Sequence, residues 1–203
     1  MKKSVLSAAV ACTALVIATA TPAQAPQVRV RGSIESVSGQ MLTVKTRDGA
    51  DVKIKLADNA PVRTVTKSSL GDIKPNLFVG ITAMPQPDGT QKAVEIHIFP
   101  EAMRGANEGF RAWDLRPNST MTNATVAQTV SGTDGQNIMV KYKDGEKKVV
   151  VGPDTPIVAF VTGNKDELKP GAKIIIFGAT KKDDGTLETN RLGVGLDGIT
   201  PPM

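Results

Sequence analysis

The sequence predicts an all-β protein made of two tandem small β-barrels behind a cleavable N-terminal leader. Three observations lead there. The segment GQMLTVKTRDG (39–49) returns as GQNIMVKYKDG (135–145). Short runs alternating apolar and polar residues are separated by Gly-containing turns, the period of half-buried strands. The chain also opens on two lysines followed by an uncharged apolar run.

The leader is read first, because it need not belong to the fold. Lys2 and Lys3 precede VLSAAVACTALVIATA, and no charge occurs from Ser4 to Ala25. A basic start, a short apolar stretch and small residues at its end are the pattern of a secretory signal peptide. The run is too short and too rich in alanine for a membrane span. Ala18-Thr19-Ala20 and Ala23-Gln24-Ala25 both fit the processing pattern, so cleavage is expected after Ala20 or after Ala25. The expected location is the periplasm. Cys12, the only cysteine, lies inside the leader; AVA before it lacks the usual Leu of a lipidation site. The mature chain is thus expected to have no disulfides, and its apolar core must carry the fold.

The repeat gives the architecture. Gly39, Gln40, Val44, Lys45, Asp48 and Gly49 fall on Gly135, Gln136, Val140, Lys141, Asp144 and Gly145. With one residue dropped, Pro61 meets Pro156 and IKP (73–75) meets LKP (168–170), and DGT (88–90) then meets DGT (184–186). Landmarks along the whole length argue for duplication. Each copy opens with an alternating strand (RVRGSIESVSG, 29–39, with a bulge expected at Gly32), a second strand, an Asp-Gly turn and a third strand. A polar stretch with one helical turn follows (SSLGDI or NKDEL). LFVGITAMP (77–85) or AKIIIFGAT (172–180) then reads as a strand buried on both faces, and a last strand closes the copy. Three strands, a helical turn and two strands is the order of an OB-like barrel. The expected domains are a signal peptide (1–25), a first barrel (26–99), an ordered linker (100–120) and a second barrel (121–203).

Those turn and core positions, G-x-I-x-x-V…G-x-x-L-x-V…D-G…I-x-P…D-G-T over 28–99 and again over 125–196, resemble an uncharacterised family of exported bacterial domains often found in tandem. The resemblance implies fold and export; it implies no reaction.

Composition excludes several function classes. The chain has 25 Lys and Arg against 20 Asp and Glu, and losing Lys2 and Lys3 leaves 23 against 20. This excess is small and dispersed, and the central strands carry Val, Ile, Lys and Thr rather than stacking aromatics. Nucleic acid is therefore not an expected partner. Catalysis needs an activated group and its base. There is one histidine, His97, and no phosphate loop or nucleophile-elbow motif. His97 alternates with Ile96 and Ile98, so it is expected to face outward from its strand. A rival reading is copper handling: His97, Met103 and Met121 lie near one another in sequence, and imidazole with thioether suits that metal.

The unrepeated segment is the expected working surface. PEAMRGANEGFRAWDLRPNSTMTNA (100–124) carries Phe110, Trp113 and Leu115, where a tether would be Gly/Ser-rich. The aromatics are expected to form an ordered strap that seals the junction between barrels; the alternative is a ligand or envelope-partner site there, with Phe110, Arg111, Trp113, Asp114 and Arg116 as its contacts. The expected function is a non-catalytic binding or envelope-scaffold role without a cofactor.

Overall fold

The computed structural model describes residues 27–132 and 135–203. The signal peptide expected over 1–25, its cleavage sites and Cys12 lie outside the described residues. The described chain is all-β, with single 3-10 turns and no α-helix. None of its helical turns is long and apolar enough to cross a membrane.

Each half opens with three hairpin-linked strands. These are β1 (Gln27–Ser38), β2 (Met41–Thr46) and β3 (Asp51–Leu56), then β4 (Val62–Lys67). After the turn Leu70–Asp72 come β5 (Phe78–Pro85) and β6 (Gln91–Ile98). The linker contributes β7 (Gly109–Ala112). The second half supplies β8 (Thr120–Gly132), β9 (Gly135–Tyr142), β10 (Gly145–Val151) and β11 (Ile157–Thr162). It ends with the turn Lys165–Glu167, β12 (Lys173–Lys181), β13 (Leu187–Thr189) and β14 (Leu192–Gly195). The 3-10 turns at Leu70–Asp72 and Lys165–Glu167 are each fixed by a capping box, Ser69 with Asp72 and Asn164 with Glu167.

The strand pairings run across the linker. One closed ring runs β1-β2-β3-β13-β12 and back to β1, with β13 parallel to β3. A second runs β8-β9-β10-β6-β5 and back to β8, with β6 parallel to β10. Each barrel therefore takes three strands from one half and two from the other, so neither 26–99 nor 121–203 closes a barrel by itself. The reason lies in the strands not foreseen, β4 and β11. VRTVTK and IVAFVT are rich in β-branched residues and extended. Six extended residues carry the chain about 20 Å, out of its own barrel and into the other. β4 and β11 pair antiparallel where they cross, with Val65 beside Phe160. In the register that sets Pro61 on Pro156, these two positions are equivalent. The crossing point thus approximates a twofold axis relating the two strand rings.

Repeated sequence identifies equivalent strands but cannot say from which copy a partner comes, since both copies offer the same edge. Ile54 and Val149, equivalent in the repeat, are both fully buried in the corresponding barrel cores. The expected bulge at Gly32 is absent. β1 is irregular instead between Val28 and Val30 and between Ile34 and Ser36. Gly32 serves close approach: an added Cβ there would overlap the Lys45 carbonyl of the neighbouring strand.

A third apolar cluster lies between the barrels and positions the site. It joins Val65, Phe78, Val158, Phe160 and Ile175 to Phe99, just beyond β6, and to the linker residue Trp113. These side chains stand on the outer faces of barrel strands, which explains why β5 is buried along nearly its whole length.

Candidate functional site

Beyond β6 the linker makes one 3-10 turn (Glu101–Met103) and returns as β7, which pairs with β8. The loop from Trp113 to Ser119 is closed by the Trp113 N–H donating to the Ser119 carbonyl (2.8 Å) and the Ser119 hydroxyl donating to the Trp113 carbonyl (3.0 Å). The indole is thereby held down at 9% exposure. Asp114 accepts from Arg31 at 2.7 Å and pairs with Arg29 at 3.1 Å, tying the linker to β1. Burial raises the Asp114 carboxyl, but the hydrogen bond from Arg31 and the charges of both arginines outweigh it and hold the group below its usual value. The Arg29 guanidinium lies 3.9 Å from the centroid of the Trp113 ring.

Between this strap and the two barrels is a cavity of about 480 Å³. Its apolar wall is formed by Phe99, Phe160, Phe177, Met103, Met121 and Leu192. Phe160 stands 5.8 Å, centroid to centroid, from both Phe99 and Phe177, giving a continuous aromatic surface. Four arginines border the same space: Arg29, Arg63, Arg111 and Arg191. Burial, and then the charge of Arg191, push the Arg63 guanidinium below the usual arginine value; burial and then Arg29 do the same to Arg111. Three cavity-lining residues hold buried polar atoms with no hydrogen-bond partner: Arg29 through Nε, Trp113 through Nε1 and Asn123 through Oδ1. Buried polar groups are ordinarily satisfied, so three orphans around one cavity call for an explanation.

The floor holds a buried acid–imidazole pair. Glu95 is 0% and His97 2% exposed. Nδ1 of His97 lies 3.2 and 3.3 Å from the Glu95 carboxylate oxygens, and the Thr82 hydroxyl donates to Glu95 at 2.5 Å. His97 packs edge-on against Phe99 and Phe160. The expectation that His97 faces outward to solvent is corrected. It does point away from Ile96, but the outer face of β6 is roofed by the junction cluster. Gly80, directly across the β5–β6 ladder, makes the room, since a Cβ there would overlap Nε2 and Cε1 of the ring. The equivalent pair in the other barrel is Ile175 opposite Gly193. Both barrels thus set one large residue over one glycine, on opposite strands.

The predicted residues divide. Arg111 and Trp113 line the cavity, and Asp114 anchors Arg29 there. Phe110 is 40% exposed, with the Lys147 ammonium 4.4 Å from its ring centroid. Arg116 is exposed and is not among the lining residues. His97, Met103 and Met121 share the cavity wall, but among the described residues no group of three His, Cys, Asp or Glu side chains is placed to hold a metal. Sequence reasoning missed Arg29, Arg63, Arg191 and Asn123, which come from four distant strands or loops. Glu95 had a local signal: the E-x-H spacing in VEIHIF puts carboxylate and imidazole on one strand face. Comparison with protein-family models, with curated proteins and with solved structures returned no match.

Proposed function

We propose that this chain is an exported, non-catalytic binding protein of the periplasm, and that its ligand occupies the cavity between the linker strap and the two barrels. The supporting observation is the combination of an aromatic wall with three unpartnered buried polar atoms. A strap that only sealed the junction would have no use for orphaned donors, whereas a small molecule there would satisfy them. The uncharged leader behind Lys2 and Lys3 supports export. The ring order, in which three strands are followed by the fifth and then the fourth with the third and fifth parallel, supports two OB-like barrels that exchange their last two strands. A role as an envelope scaffold would use the exposed Phe110 and Arg116 side of the strap.

A thermal-shift panel of small organic molecules tests the reading. Some members should raise the melting temperature of the native protein and lose that effect in Ala106→Trp, which fills the cavity at the strap. No stabilisation by any member, or stabilisation indifferent to the filling, would refute it.

Copper handling is the second reading, favoured by His97, Met103 and Met121 lining one space. Against it, Nδ1 of His97 is engaged by Glu95, and Nε2 lies over Gly80. Calorimetric titration with Cu(I), beside His97→Ala, decides this: tight binding lost in the variant would establish the metal reading.

A further inference from the structure

Charge is unevenly balanced around the cavity. Asp114 accounts for Arg29 and Arg31. Among the described residues no carboxylate lies within 4.0 Å of Arg63, Arg111 or Arg191, and the other pairing at the cavity is that of His97 with Glu95. Arg111 donates only to a backbone carbonyl, that of Asn107. Arg63 is half-buried on β4, and Arg191 sits just ahead of β14, the strand that pairs with β4. Two guanidinium groups therefore border one space, Arg63 half-buried and Arg191 exposed, and neither has a carboxylate within 4.0 Å. Glu95 cannot serve, because His97 and Thr82 already occupy it, and Glu108, an exposed carboxylate that lines the cavity, accepts from the Lys143 N–H at 3.1 Å and lies within 4.0 Å of none of these arginines.

Two of the three orphaned atoms, Arg29 Nε and Trp113 Nε1, are donors with no acceptor capacity. The site is thus rich in donors and positive charge on one side and lined by phenylalanine rings on the other. Guanidinium forks match carboxylate and phosphate geometry, and a volume near 480 Å³ suits a small organic molecule.

On the reading that the cavity is a binding site, we propose that its ligand is an organic anion with a flat apolar body, the acidic group lying between Arg63 and Arg191 and the body against Phe99, Phe160 and Phe177. Such a ligand supplies the missing counter-charge and an acceptor for the orphaned donors. It also covers the aromatic wall without burying a second charge.

Calorimetric titration of the whole mature chain with cinnamate and with cinnamyl alcohol separates charge from shape, since the two share a body. Cinnamate should bind about tenfold or more tightly, the worth of a charge-assisted hydrogen bond in affinity. That preference should vanish in the double variant Arg63→Gln, Arg191→Gln and persist in Lys169→Gln, an exposed lysine outside the cavity. Should the double variant lose its β-sheet circular dichroism, Arg63→Lys and Arg191→Lys serve singly: each keeps the charge, loses the fork and should weaken cinnamate alone. Equal binding of both probes, both abolished by Ala106→Trp, would overturn the anion assignment and leave the cavity a binding site. A cinnamate preference untouched at Arg63 and Arg191 would also overturn it, and no binding of either probe would remove it.

Discussion

Replacing Gly80 by alanine should be far more damaging than a single methyl group suggests. The added Cβ would overlap Nε2 and Cε1 of His97 and come within 2.8 Å of Cδ2. The imidazole cannot yield easily. Phe99 and Phe160 hold it at centroid distances of 4.8 and 5.3 Å, and Glu95 holds its other edge. Moving the ring forfeits those contacts and leaves a buried carboxylate with Thr82 as its remaining side-chain partner. Overpacking of this kind costs about 1–3 kcal/mol, and a weakened buried hydrogen bond adds roughly 1 kcal/mol or more, so Gly80→Ala should destabilise by about 2–4 kcal/mol. His97→Ala is destabilising for its own reasons, but it opens the space that the added methyl group needs. In the His97→Ala background the Gly80→Ala change should therefore be nearly free, a favourable coupling of about 2 kcal/mol or more, well beyond the roughly 0.5 kcal/mol scatter of independent sites. Urea denaturation followed by far-ultraviolet circular dichroism on the four members of the cycle measures this. Additive effects would refute the placement of His97 over Gly80, and with it the buried floor of the cavity.

Trp113→Ala should destabilise by about 3 kcal/mol or more, as loss of a buried large aromatic does; a change under about 1 kcal/mol by urea denaturation would mean that the strap is not part of the core. The native protein should show blue-shifted tryptophan emission poorly quenched by iodide, since Trp113 is the only tryptophan; red, freely quenched emission would contradict its burial. Because the Asp114 carboxyl is held below its usual value of 3.8, its ion pairs add stability that is complete above that value and lost as pH falls through the folded one. Asp114→Asn should accordingly lower the melting temperature at pH 7 and make no difference in strong acid; equal effects at both would show that the pairs contribute nothing. N-terminal sequencing by mass spectrometry of periplasmic protein should find a chain beginning at Thr21 or Pro26, and an unprocessed chain would end the export reading.

Strand content was legible because hairpins are local. Asp48-Gly49 and Asp144-Gly145 sit between alternating runs, and Gly49 takes the positive φ of 88° that such a turn needs. The echo of residues 39–49 in 135–145 is legible for the same reason, and Trp113, though not Phe110, is covered as a large aromatic in a linker requires. The exchange of strands was not. Ser33 of β1 finds Lys173 of β12 in the other half, yet the equivalent position in its own half, Phe78, carries an equally apolar strand. Choosing between them depends on β4 and β11 crossing rather than turning back, a global property that strand periodicity does not encode. The basic side of the cavity was hidden for a related reason. Arg29, Arg63 and Arg191 are each an ordinary charge on an alternating strand or loop, and only the crossing brings them to one space. His97 was misplaced because a polar face was equated with solvent, whereas the outer face of β6 meets a second layer.

The exchange of strands between the two halves underlies every feature of the site, and disulfide trapping tests it most directly. Cys12 is the single cysteine of the sequence, so a chain produced from Pro26 onward has none and an engineered pair reports without interference. Ser33 and Lys173 are ladder neighbours, with the Lys173 ammonium donating to the Ser33 hydroxyl at 2.6 Å. The double variant Ser33→Cys, Lys173→Cys should oxidise rapidly to an intramolecular disulfide, seen as a faster-running monomer on a non-reducing gel. Ser33→Cys with Phe78→Cys should stay reduced. Rapid closure of the Ser33–Phe78 pair, with none between Ser33 and Lys173, would place each barrel within its own half and contradict the account.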